Sequence, residues 1–88
     1  MTMLEALIEA HPEAEFLLAD GFDDAIIGYH ADSERLIYSS AKAVRILVNE
    51  GMTEEDALEH FHYNVAGSYV GEKTPIWSSD LDLYLWNE

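Results

Sequence analysis

Cysteine is absent from this chain, so neither a disulfide nor a thiolate metal site can hold it together. Its 88 residues lie near the lower limit for a domain that folds without covalent or metal staples, and burial alone must stabilise it. Basic residues are almost as scarce, with four in all: Arg35, Lys42, Arg45 and Lys73. Phosphate-backbone binding needs such residues in clusters, so direct contact with nucleic acid is not expected. No apolar run approaches the roughly 20 residues that span a bilayer. The first ten residues carry two glutamates and no basic segment, unlike a secretory signal. A strongly anionic surface is also repelled by the anionic inner leaflet of a membrane. The expectation is a cytoplasmic protein with no membrane contact.

Acid is what the chain has in excess. Eighteen Asp and Glu against four Lys and Arg leave a formal charge of −14. A domain of this size needs a net charge magnitude of only about 2–8 to stay dispersed, and self-repulsion at higher density opposes folding. Hydrophobic residues make up 49% of the chain, too many for a disordered acidic tail. A folded acidic domain follows, whose surface is suited to meet something positive. Residues 1–34 hold nine acids and no Lys or Arg. A solubilising surface normally intersperses both signs, so this segregation favours a carboxylate lattice that imitates nucleic acid. The candidate contact residues are Glu9, Glu13, Glu15, Asp23 and Asp24 from the first acidic stretch, and Glu54, Glu55 and Glu59 from the second.

Local patterns place these residues on elements. Thr2 and Glu5 fit a capping box at the start of a short helix carrying Leu4, Leu7 and Ile8 on one face. Glu13 to Asp20 is compatible with a helical turn or an extended stretch. The runs Ala25–Tyr29 and Arg35–Tyr38 flank the polar segment 31–34 and predict a β-hairpin. Ser39 or Ser40 caps a helix over about 41–49, with Gly51 as its stop and Val44, Leu47 and Val48 inward. Thr53 caps a further helix, with Met52 and Ala57 placed as a hydrophobic staple and Leu58, Phe61 and Val65 on one face. Strict alternation over 81–86 predicts a terminal strand with Tyr84 and Trp86 on its more polar side. The fold class is α+β: one small domain over 1–88, with an N-terminal helix, a β-hairpin, two central helices and a C-terminal strand.

Chemistry-bearing patterns are weak. His60 and His62 fall two apart on a helix and point about 200° away from each other, so they do not share an ion. Asp20, Asp23 and Asp24 surround Gly21, but that glycine is misplaced for a calcium loop. No nucleophile elbow or phosphate-binding glycine loop is present. The expectation is a non-enzyme without cofactor or metal. Aromatic residues are numerous, and Tyr84 and Trp86 on an edge strand would suit self-association into a homodimer.

The segments Asp20–Tyr29 (DGFDDAIIGY), Gly51–Ala57 (GMTEEDA) and Asn64–Trp77 (NVAGSYVGEKTPIW) resemble a family of short acidic proteins of phage, prophage and prokaryotic genomes. The resemblance runs roughly from Leu4 to Trp77 and stops before the terminal segment. It implies no catalytic residue. It implies a phage-type setting, in which small acidic proteins include inhibitors of host defence such as anti-CRISPR proteins, a likeness of size and charge. The expected partner is then a basic host protein or nucleoprotein complex in a bacterial cytoplasm. The alternative is a phage accessory protein of incidental acidity that self-associates through its aromatic C-terminal strand.

Overall fold

In the computed structural model, residues 2–67 and 71–78 are described. Helix α1 (Met3–Ala10) starts at Thr2, whose hydroxyl accepts from the Glu5 N–H at 3.1 Å while the Glu5 carboxylate accepts from the Thr2 N–H at 3.2 Å. The expected capping box is therefore closed on both sides. After Pro12 the chain runs back without regular structure, which settles the undecided stretch from Glu13 to Asp20 as non-helical. A single 3₁₀ turn (Asp23–Ala25) leads into strand β1 (Ile26–His30), which pairs antiparallel with β2 (Arg35–Ser39).

The hairpin carries a feature that alternation does not foresee. The register jumps from Ile26↔Tyr38 to Gly28↔Ile37, leaving Ile27 as an extra, exposed residue. Without that bulge, Ile26 and Tyr29 would point to opposite faces of the sheet. With it, Ile26 lies opposite Tyr38 and Tyr29 opposite Leu36, and all four join the packed face.

Ser39 ends β2 and caps α2 (Ser40–Asn49), its hydroxyl accepting from the Lys42 N–H at 3.0 Å. Gly51 follows the helix at φ +113°, a left-handed conformation that side chains rarely adopt. Thr53 then caps α3 (Glu54–His60), accepting from the Asp56 N–H at 3.1 Å. The helical path does not stay α beyond His60: Phe61–Ala66 forms a π-helical segment. The expected single helix is thus two joined pieces. Strand β3 (Ile76–Ser78) closes the sheet in the order β1-β2-β3, parallel to β2. The strand expected over 81–86, with Tyr84 and Trp86, lies outside the described residues.

The core joins the sheet to α2 and α3 through Leu36, Tyr38, Val44, Leu47, Ala57 and Phe61. Tyr38 is its centre. Its ring lies 4.8 Å from that of Trp77, and its hydroxyl accepts the Ala19 N–H at 2.8 Å. That bond ties the irregular 12–22 segment down onto the sheet.

Candidate functional site

Every Asp and Glu among the described residues is exposed except Glu54, which is half-buried. The fold therefore carries its carboxylates outward, and their arrangement is set by β1. Helix α1 runs parallel to this strand: Met3 lies in a hollow with Ile26 and Ile27, and His11 stacks on Tyr29 at 4.6 Å. The chain then doubles back, so acids close in sequence are separated in space.

At the hairpin end, Glu13 and Glu34 line one hollow with His11 and Tyr29. Glu15 and Glu72 line another beside Lys73. The Lys73 ammonium bonds the Glu34 carboxylate at 2.8 Å and reaches the Glu15 carbonyl at 3.5 Å. The Glu34 carboxylate, first by this hydrogen bond and then by its charge, holds the ammonium above its ordinary pKa, and Glu15 adds to the rise. Lys73 thus acts as a rivet through an acidic face. Arg35 is similarly engaged, its Nε donating to the Thr74 carbonyl. Glu34 and Glu72 were not singled out from sequence. Only the meeting of the hairpin turn with the 71–75 turn makes them neighbours of Glu13 and Glu15.

Glu34 also holds a left-handed backbone, φ 55°, in the hairpin turn. Glycine or asparagine would sit there with less strain. A carboxylate is kept at a position that costs backbone energy.

Asp23 and Asp24 lie at the opposite end of β1, in a hollow with Thr2, Met3 and Lys42. The strand between the two groups spans Ile26–His30, a rise of roughly 13 Å at about 3.3 Å per residue. That exceeds the Debye length of about 8 Å at physiological salt, so the two groups repel each other little and present separate anionic faces. Glu9 is exposed in the last turn of α1. Glu54, Glu55 and Asp56 occupy the first turn of α3, where they oppose the positive end of its dipole, and Glu59 follows Glu55 by one turn on an exposed face. The first candidate group is therefore split, and the second stands on its own helix.

Among the described residues no three His, Asp or Glu side chains converge into a metal-holding group. His60 does not face His62 but lies 3.4 Å from the Asn64 side-chain nitrogen, one helical turn on. No helix of the described residues is long and apolar enough to cross a membrane. Between the 18–22 segment, α3 and β3 lies a cleft of about 340 Å³, walled by Leu18, Phe22, Val65, Pro75 and Trp77 and edged by Asp20, His60 and Asn64. The sequence signal for it is slight, since the residues come from three separate stretches.

The chain matches no protein-family model, no curated protein and no solved structure.

Proposed function

We propose that this protein is a non-enzymatic acidic binding protein, a phage-type inhibitor that occupies a basic, nucleic-acid-binding surface of a bacterial host protein as a nucleic-acid mimic. The observation that carries the reading is the outward display of the carboxylates on a hydrogen-bonded frame, with Lys73 and Arg35 bonded to groups of the chain itself. The two anionic groups stand beyond opposite ends of β1, so a basic surface can meet carboxylates at more than one place. The resemblance to short acidic phage-type proteins and the anti-CRISPR likeness in size and charge give the host setting.

The binding this predicts is fast and salt-sensitive, because complementary charge steers association. In the test, the protein is immobilised and challenged with a bacterial lysate, and bound material is eluted by salt or by duplex DNA. Reversing Glu13, Glu15 and Glu34 to Lys, or separately Asp23 and Asp24, is expected to release a DNA-binding partner while circular dichroism stays unchanged. A partner retained by both reversed variants, or one that duplex DNA does not displace, would overturn the mimic reading.

A further inference from the structure

The cleft beside Trp77 has the chemistry of a cation receptor rather than of a general apolar pocket. Its volume, about 340 Å³, is at the small end of ligand clefts, which run from about 300 to 1,000 Å³. Trp77 stands in the sheet with Phe22 and Phe61 edge-on to it at 5.9 and 5.2 Å. It remains half-buried and contributes to the cleft wall. Tyr38 packs against the same ring at 4.8 Å, and an indole face left open to the cleft would attract a cation through its quadrupole. Asp20 supplies a carboxylate at the edge, and among the described lining residues there is no Lys or Arg. Asn64 and His60 add polar groups to the lining, and the net field of the chain favours positive charge in the opening.

We infer that this cleft receives one arginine side chain of the basic partner, with its methylenes against Leu18 and Phe22, its guanidinium on Trp77 and its charge against Asp20. The inference rests on the basic-partner reading above and adds to it a single anchoring pocket. Arginine suits the site better than lysine. Its planar group is weakly hydrated and stacks on aromatic faces, whereas an ammonium is strongly hydrated and resists an apolar wall. Exposed Leu18, at 46%, offers an apolar rim for the surrounding contact. A buried arginine surrounded by such a rim is a recurrent energetic centre of protein interfaces.

The probe is N-acetyl-arginine methylamide, titrated against the full chain with the Trp77 indole N–H followed by NMR and assigned through Trp86→Phe. Saturable shifts at Trp77, Leu18 and Asn64 are expected. The neutral isostere N-acetyl-citrulline methylamide should bind up to about fivefold more weakly, the weight of one exposed charge pair, and Asp20→Asn should narrow that difference. Equal binding of citrulline, saturation by N-acetyl-leucine methylamide instead, or no saturable shift at Trp77 would each overturn the arginine assignment. Against the captured partner, Leu18→Trp, which fills the opening from an exposed position, should weaken binding about tenfold, as expected for loss of one anchor. If the charge reversals release the partner and Leu18→Trp does not weaken it, the pocket fails and the acidic mimic stands. If arginine saturates the cleft and the charge reversals release nothing, the mimic fails and the pocket stands.

Discussion

Replacing Tyr38 by Phe isolates one hydrogen bond on which the functional surface depends. The Tyr38 ring is fully buried against Trp77, and its hydroxyl is the acceptor for the Ala19 N–H at 2.8 Å. Phenylalanine keeps the ring and its contacts, so the packing contribution is close to zero. What is lost is the acceptor for a backbone donor, which costs about 1–3 kcal/mol when the donor is left buried. Ala19 is half-buried, so water reaches it in part and the lower portion of the range applies, about 1–2 kcal/mol. For a domain of this size that lowers Tm by about 4–16 °C. Urea unfolding followed by circular dichroism should show a smaller Cm at unchanged m-value, because the surface exposed on unfolding is the same. Amide exchange at Ala19 should accelerate, and the 12–22 segment bearing Glu13, Glu15 and Asp20 should loosen with it. By contrast, Tyr38→Ala also opens a cavity and should cost about 3–5 kcal/mol, near the whole stability of a small domain. A loss below about 0.5 kcal/mol in Tyr38→Phe, with Ala19 as protected as in the parent, would refute the reasoning.

Other perturbations follow from the same contacts. Burial raises the Tyr38 phenol above its ordinary value of 10.0; the Ala19 bond opposes this and the Asp23 charge adds to it. The folded state therefore holds this proton more tightly than the unfolded chain, and the stability it contributes is complete below pH 10 and lost as pH rises through the folded value. Alkaline unfolding should shift upward in Tyr38→Phe relative to its stability at neutral pH. Thr53→Ala removes the cap on the Asp56 N–H and should cost about 1 kcal/mol by urea unfolding, with Thr53→Ser restoring most of it. Gly51→Ala meets no atom within 4 Å, so any loss is backbone strain at φ +113°, about 1–2 kcal/mol by the same measurement. Glu34→Gly relieves a left-handed backbone and should hold or raise Tm despite losing the contact to Lys73, while weakening capture of the basic partner.

Much of the frame was legible because its signals are local. The Thr2–Glu5 box, the Ser39 and Thr53 caps and the Gly51 stop each involve residues within a few positions of one another, and each forms as expected. The hairpin follows from two β-prone runs around a polar turn, and the acidic excess follows from composition. The bulge at Ile27 was not legible: it answers the demand that Ile26 and Tyr29 both reach a core built from other elements. Nor was the π segment after His60, where the apolar face of Leu58, Phe61 and Val65 is equally compatible with a continuous α-helix.

The sequence alone determined that this chain is a cysteine-free, acid-rich α+β frame, because capping, alternation and charge act over a few residues or by simple count. Tertiary structure decided where the acids stand and what they surround. Contacts between residues 19 and 58 positions apart, Ala19 with Tyr38 and Glu15 with Lys73, fold the first acidic stretch across both ends of β1. The same closure brings Asp20 beside Trp77 and Glu34 beside Lys73. Side-chain patterns carry no record of such meetings, since they exist only once the long loops have paid their closure entropy and the core has chosen one register.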